Sequence, residues 1–276
     1  MSDHFAAFSF VDRITRLEPG VRAEGTFAVP EHLAAFPACL VAEAVGQLAA
    51  WAAMSQIDFR GRPVAALATE TIFHGPAAPG SALELAVEIE SCDDEAVAYS
   101  GLARVEGAQA IELRHCLGPM LPVQDFDAPE ALRERFRLLC TTGAHPGRFR
   151  GVAVPELVAL QGEAGKSARA LLQVPTSAPF FADHFPRRPV FPATLLLDSQ
   201  IRLAMDLARA AIDSATLRPQ RMTNVKMRSF IAPGQEVLLG AEMAAATDRA
   251  GTVRLSATIA DRTVATARLD IAAREH

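Results

Sequence analysis

The sequence predicts an α+β protein built from two similar halves, each made of one long buried helix and several antiparallel strands. Two blocks of sequence occur twice and carry this prediction. FPACLVAEAVGQLAAWAAM at 36–54 returns as FPATLLLDSQIRLAMDLARAA at 191–211, and FHGPAAPGSALELAVEIE at 73–90 returns as FIAPGQEVLLGAEM at 230–243. Blocks that recur in the same order indicate an internal duplication, with one supersecondary unit per copy.

The first repeated block predicts a helix in each half, at about 36–55 and 191–211. Both copies open with Phe-Pro-Ala-x-Leu and carry one carboxylate at the same position, Glu43 or Asp198. Both stay apolar on nearly every face, and a helix that is apolar all round is a buried one.

The second repeated block predicts a turn and a strand, because Pro-Gly precedes alternating apolar residues. Its distance from the helix is nearly the same in both halves. There are 36 residues from Glu43 to Pro79, and 35 from Asp198 to Pro233. This agreement supports two copies of one unit.

We assign residues 1–140 to the first repeat and 141–276 to the second. Each half ends in alternating strand sequence, with tight turns expected at 106–107 and 261–262. The charged, amphipathic stretch 128–140 predicts a helix that either links the halves or packs on a sheet. We expect the two repeats to pair as a pseudodimer within one chain, with their sheets joined edge to edge.

Composition limits the function classes. The net charge of −5 disfavours nucleic acid as a partner. We expect a cytoplasmic protein without a membrane span, because no apolar run approaches the roughly 18 uncharged residues of a span and the N-terminal sequence lacks a basic region followed by an apolar one. The four cysteines are spread singly, so neither a zinc site nor a disulfide framework is indicated.

The two halves differ just before the helix. The Val-Pro pair lies seven residues before the Phe-Pro pair in the first half and seventeen residues before it in the second. The first half therefore lacks ten residues, and the second keeps FFADHFPRRPV at this place.

That segment carries a resemblance to a known family. HFPRRPVFPATLLLD at 184–198 resembles the signature of the 3-hydroxyacyl-ACP dehydratases of fatty-acid synthesis: His-Phe-Pro-x-x-Pro-Val-x-Pro-Gly, two to three apolar residues and a Glu or Asp. The spacing from His184 to Asp198 matches without a gap. The family has the hot-dog fold, a long central helix wrapped by an antiparallel sheet. The resemblance therefore implies a tandem double hot dog.

The resemblance also implies which residues share a site. In dimers of that family, each active site combines the His of one hot dog with the carboxylate of the other. Carried over to this chain, the rule pairs His184 with Glu43 and leaves Asp198 as a relic or a structural acid. The family usually has Gln four residues after its acid. Here Gln47 follows Glu43, whereas Arg202 follows Asp198.

The activity implied by the resemblance is dehydration of a 3-hydroxyacyl thioester. We expect neutral His184 to remove the α-proton and Glu43, kept protonated by its apolar helix, to protonate the departing hydroxide. Gln47 would orient Glu43. Val190 and Ala193 would support the site, with the Ala193 N–H donating to the thioester oxygen, although the family has glycine where Ala193 stands. No metal or other cofactor is expected.

The resemblance further implies a substrate carried by acyl carrier protein or CoA. Arg187 and Arg188 are candidates for docking the acidic carrier or the CoA phosphates. Three phenylalanines are expected to line the acyl tunnel: Phe181, Phe185 and Phe191. The assembly is expected to be a monomeric pseudodimer or a higher homo-oligomer.

Two other functions stay open at this point. A hot-dog thioesterase uses a carboxylate to activate water and does not require the His-Phe-Pro segment. A non-catalytic acyl or acyl-carrier binding module is favoured by Ala193, by Arg202 and by the loss of one site. His32 is a further candidate for the missing histidine of the first half, three residues late in the alignment.

Overall fold

The computed structural model describes residues 4–212 and 216–274, in which the chain forms three α-helices and thirteen β-strands. The helices are α1 (Ala38–Gln56), α2 (Pro129–Cys140) and α3 (Ala193–Ala211). The strands are β1 (Arg13–Glu18), β2 (Arg22–Ala28), β3 (Gly61–Pro63), β4 (Leu67–Phe73), β5 (Ala82–Cys92), β6 (Ala96–Val105), β7 (Ala108–Pro122), β8 (Leu157–Glu163), β9 (Ser167–Gln173), β10 (Leu217–Met227), β11 (Glu236–Ala246), β12 (Ala250–Ile259) and β13 (Arg262–Ala273).

These helices and strands are divided between two compact units. The first unit contains the described residues up to Ala66, His74–Val152 and Ala178–Val190. The second contains Leu67–Phe73, Ala153–Ser177 and the described residues from Phe191 onward. Each unit is one long helix packed on an antiparallel sheet, as the repeat predicts.

In the first unit, α1 packs on a sheet with the strand order β1-β2-β5-β6-β7, and the short β3 pairs with β7. The predicted helix is confirmed, beginning directly after Pro37. By length and composition α1 is apolar enough to cross a membrane, but most of it is buried inside the unit. A core helix passes the same test, so this is weak evidence for a span.

The helix predicted at 128–140 is confirmed as α2, and it packs on β1. Its apolar face buries Leu132 and Leu139, while Glu130 and Arg137 lie on the exposed side. This placement decides between the two expectations, because α2 covers the sheet of the first unit.

In the second unit, α3 packs on a sheet with the strand order β4-β10-β13-β12-β11-β9-β8. The helix begins at Ala193, with Pro192 as its N-terminal cap position. Its start and end agree with the predicted helix at 191–211 to within two residues.

The predicted Pro-Gly turns are present ahead of β5 and β11. Gly80 has φ +84° and Gly234 has φ +78°, a region that glycine enters without the penalty of a Cβ. The turn at 106–107 joins β6 and β7 as expected. The second hairpin turn lies at 260–261 rather than 261–262, since Arg262 already begins β13.

The compact units do not follow a single boundary at 140, because each contains a segment from the other repeat. Strand β4 belongs to the second unit, where it pairs with β10. Residues 178–190 belong to the first unit. There the carboxylate of Asp183 accepts hydrogen bonds from the Phe8 N–H at 2.7 Å and from Ser9 Oγ at 3.1 Å, and the Arg187 N–H donates to the Phe126 carbonyl.

Candidate functional site

The imidazole of His184 is held in one tautomer by its own loop. His184 follows the 3₁₀ turn Pro179–Ala182, and its Nδ1 lies 2.9 Å from the carbonyl oxygen of Val190. The Val190 N–H donates in return to the His184 carbonyl at 3.0 Å. A carbonyl can only accept, so the neutral ring carries its proton on Nδ1. Nε2 therefore keeps its lone pair, as a general base requires.

Aromatic rings hold the plane of this imidazole. The ring of Phe185 stacks on it, with centroids 4.2 Å apart and planes 22° apart, and the peptide bond between the two residues is cis. Phe8 meets it edge to face at 5.7 Å. The Phe126 ring in turn packs edge to face on Phe185 at 5.1 Å.

Helix α1 brings Glu43 and Gln47 to the same unit, one turn apart on one face. Gln47 Nε2 donates to Glu43 Oε1 at 3.0 Å and to the Phe8 carbonyl at 2.9 Å. Its Oε1 accepts the Phe10 N–H at 2.8 Å. The amide is thus locked by the N-terminal segment, and the expected Gln47–Glu43 contact is present.

Burial and neighbouring charges act on His184 in opposite directions. Burial lowers the pKa of His184 below its ordinary value, and the positive charge of Arg62 lowers it further. The carboxylate of Glu43 and the hydrogen bond to the Val190 carbonyl raise it. Burial has the largest effect, so the pKa lies below the ordinary value and the ring is neutral at pH 7.

Sequence reasoning missed three residues that support this arrangement. Asp183 is buried and ties the loop of His184 to the N-terminal segment through Phe8 and Ser9. Arg62, on β3, forms an ion pair with the buried Asp127, with Nη1 and Oδ2 2.7 Å apart. Only the adjacency of Asp183 to His184 offered a signal in the sequence.

Three predicted residues belong to the second unit: Phe191, Ala193 and Asp198. Ala193 is the first residue of α3, so its N–H has no acceptor within the helix. Asp198 lies 3.5 Å from Arg202 Nε, and Arg202 Nη2 donates to the Pro155 carbonyl at 2.8 Å. Burial raises the pKa of Asp198, and Arg202 opposes that shift. Asp198 therefore has a structural partner within its own unit, while its role as a relic acid, and that of Ala193 as an oxyanion donor, stay predictions.

The structure describes all of the loop residues that were predicted for the acyl tunnel and for carrier docking. Phe181 and Phe185 are buried, and Phe185 carries the ring stack against His184. Arg187 and Arg188 are exposed. Arg187 Nη1 donates to the Gln124 carbonyl at 3.0 Å, and the Arg188 guanidinium lies 5.6 Å from the centre of the Phe126 ring. Tunnel and docking roles stay predictions.

Three further histidines among the described residues are exposed or lie beside a carboxylate. His32, the candidate replacement in the first half, is exposed in the loop after β2. His74 and His115 lie beside Glu112 and Glu90. Within 4–212 and 216–274, no three His, Cys, Asp or Glu side chains are grouped as a metal site.

Comparison with solved structures identifies the fold. The oleoyl thioesterase (putative) of Lactobacillus plantarum matches with a TM-score of 0.61 at 9% identity, over 92% of this chain and 97% of that one. The tesB protein of Mycobacterium avium subspecies paratuberculosis matches with a TM-score of 0.56 at 12% identity, over 95% and 96%. These likenesses span both repeats, and they confirm the double hot-dog fold.

Comparison with curated sequences identifies the family. The model of the ApeI-like family, described as ApeI dehydratase, matches residues 161–268. The 3-hydroxyacyl-acyl-carrier-protein dehydratase FabZ of Albidiferax ferrireducens is 33% identical over 36% of this chain and 67% of its own length. That of Wolbachia pipientis is 29% identical over 30% of this chain and 60% of its own length. The chain therefore belongs to the hot-dog dehydratase family of the 3-hydroxyacyl-acyl-carrier-protein dehydratases.

Proposed function

We propose that the protein dehydrates 3-hydroxyacyl thioesters, carried by acyl carrier protein or CoA, to trans-2-enoyl thioesters and water. One observation carries the proposal. His184 is a neutral imidazole with its proton on Nδ1, in the same unit as Glu43 and under its electrostatic influence. An imidazole base and a carboxylic acid are the two groups that this elimination needs.

His184 takes the proton in this reaction. Its Nε2 lone pair accepts the α-proton of the substrate, and the electrons of that C–H bond form the new carbon–carbon double bond. The hydrogen bond from Nδ1–H to the Val190 carbonyl strengthens as the ring becomes an imidazolium, because a charged donor binds a carbonyl more strongly than a neutral one. The loop thus stabilises the charge that develops on the ring.

Glu43 gives a proton in the same reaction. Its carboxyl group protonates the departing β-hydroxyl, which leaves as water when the carbon–oxygen bond breaks. The carboxylate that remains accepts the hydrogen bond from Gln47 Nε2. Transfer of one proton from the imidazolium back to this carboxylate, through exchange with water, restores both groups, so no proton or electron is left over.

A hot-dog thioesterase is the second candidate, favoured by the solved structures that share this fold. In that reaction Glu43 would activate water to attack the thioester carbonyl, and a free thiol would leave. Likeness at this level of identity concerns the fold alone. The retained His-Phe-Pro segment and the tautomer of His184 support the dehydratase over the hydrolase.

A crotonyl thioester separates the candidates. The purified protein is mixed with crotonyl-CoA, or with a crotonyl acyl carrier protein, while enoyl absorbance and free thiol are recorded together. Loss of the enoyl absorbance without thiol release is the expected result, because hydration is the reverse of the proposed reaction. Release of thiol identifies a thioesterase, and binding without either change identifies a binding module.

A further inference from the structure

Arg62 is a buried cation next to the proposed base, and the reaction described above does not use it. It lies in β3, just after the end of α1, and its side chain is only 18% exposed. Its partner Asp127 is 1% exposed. A buried ion pair is costly to form unless both charges are well compensated, so its presence beside the site calls for a role.

The guanidinium of Arg62 contacts the ring that carries His184. Its central carbon lies 4.5 Å from the centroid of Phe185. The same ring stacks on the imidazole of His184 at 4.2 Å. Cations are attracted to the face of an aromatic ring, more so where water is excluded. Asp127 therefore holds Arg62, Arg62 holds Phe185, and Phe185 holds the imidazole.

Charged groups approach His184 from several elements. Glu43 acts from α1 and attracts the proton, whereas Arg62 acts from β3 and repels it. Asp183 precedes His184 in its own loop, and the N-terminal segment places His4 3.6 Å from Asp127. Arginine stays charged even when buried, because its ordinary pKa lies far above neutral pH.

We propose that Arg62 is a positioning residue, which holds the plane of the His184 imidazole through Phe185 and whose positive charge opposes protonation of that imidazole. This inference rests on the proposed function, in which neutral His184 removes a proton. In this proposal Asp127 holds Arg62 in place, and the charge of Arg62 helps to keep the base free of a proton beside an acid.

The first test measures His184 directly. The ring carbon and proton signals of His184, assigned by their loss in His184→Gln, are titrated by NMR in the wild type and in Arg62→Met. We expect the midpoint to rise by about one pH unit without the cation. Arg62→Lys retains a charge and should leave the midpoint near that of the wild type. An unchanged midpoint in Arg62→Met would overturn the electrostatic part of the proposal.

The second test uses the pH profile of the dehydration of 3-hydroxybutyryl-CoA, the direction in which His184 takes the proton. Since neutral His184 is the base, its acid limb should move to higher pH in Arg62→Met by the same amount as the NMR midpoint. Arg62→Lys should instead lower kcat several-fold at every pH, because ammonium lacks the planar fork that packs on Phe185. Equal kcat in Arg62→Lys and the wild type would refute the positioning part.

Two controls distinguish misfolding of a variant, and a lack of activity in the wild type, from the outcomes above. Removing Arg62 alone leaves Asp127 buried without its cation, so the double variant Arg62→Met/Asp127→Asn is titrated as well. Its midpoint should still rise, by less than in Arg62→Met, because the negative charge of Asp127 is removed too. If the wild type turns over no thioester, the proposed function fails, and the NMR midpoints still decide whether Arg62 opposes protonation of His184.

Discussion

At the scale of single residues, the position of one proton follows from one backbone contact. The Val190 carbonyl accepts from Nδ1 of His184 and leaves Nε2 as the basic atom. Gln47 does the equivalent for Glu43, since its own amide is fixed by the backbone of Phe8 and Phe10. Both proposed catalytic groups are therefore oriented by neighbours that take no part in the proposed reaction.

Removing either proposed catalytic group should abolish most of the activity. We expect His184→Ala and Glu43→Gln each to lower kcat by roughly 10²–10⁴-fold, the usual contribution of a general acid or base. Asp198→Asn is the matched control, a carboxyl-to-amide change at the corresponding position of the other helix, and should cost far less. Rates of crotonyl thioester hydration measure all three. A large loss in Asp198→Asn with normal activity in Glu43→Gln would identify Asp198 as the acid.

Asp12 should make the protein less stable at neutral pH than at mildly acidic pH. Burial raises the pKa of Asp12 to about 6, against the lowering effects of the Ala28 N–H and of Arg135. The folded state thus binds this proton more tightly than the unfolded chain, whose value is 3.8. The stabilisation is complete below the unfolded value and is lost as the pH rises through about 6.

Asp12→Asn tests this dependence, because the amide oxygen can still accept the Ala28 N–H. We expect the variant to gain about 1 kcal/mol in free energy of unfolding at pH 8, after allowing for solvent screening of this partly exposed group. Urea denaturation at pH 4 and pH 8 measures the difference. A gain that is the same at both pH values would show that Asp12 is already ionised in the folded protein at pH 4.

At the scale of elements, the two long helices place different side chains at corresponding positions. Helix α1 carries Glu43 and Gln47, whereas α3 carries Asp198 and Arg202 with the same spacing. In α1 the second residue is an amide that orients a carboxyl. In α3 the second residue is Arg202, a cation whose Nε lies 3.5 Å from the Asp198 carboxylate. Duplication preserved the helices, and substitution changed what their polar faces can do.

Gln200 on α3 is a site where stability should increase on mutation. Its side chain is fully buried, and neither its amide nitrogen nor its oxygen has a hydrogen-bond partner among the described residues. We expect Gln200→Met, which is similar in volume, to raise the free energy of unfolding by about 1–2 kcal/mol. Urea denaturation at pH 7 measures it. Gln47→Met is the matched control, since Gln47 has three hydrogen bonds to lose, and should destabilise. Loss of stability in Gln200→Met would mean that buried water satisfies the amide.

At the scale of the whole molecule, the net charge of −5 does not attract an acidic carrier. Docking of such a carrier would therefore depend on a local group of basic residues. The exposed Arg187 and Arg188 lie in the loop that follows His184. We expect Arg187→Ala/Arg188→Ala to raise KM for a carrier-bound substrate and to weaken the dependence of KM on salt. Arg254→Ala, a change at an exposed arginine of β12, is the control. An unaltered KM across ionic strengths would assign both loop arginines to structure alone, as the contact of Arg187 with Gln124 allows.

Local sequence patterns were enough to predict the duplication, both long helices, the Pro-Gly turns and the family, and they are also the basis for predicting the two residues of the proposed dyad. These follow from local periodicity and from short motifs, in which the informative residues lie close together along the chain. Even the pairing of Glu43 with Gln47 is local, because four residues along a helix make one face.

The unit that holds the His184 loop, and the contacts that support the loop there, are visible only in the folded structure. Asp183 binds the Phe8 N–H across 175 residues of sequence, and Arg62 contacts Phe185 across 123 residues. No periodicity encodes such contacts, because they depend on how separate segments pack and not on their own composition. The buried Arg62–Asp127 pair is likewise visible only once folding has removed both charges from water.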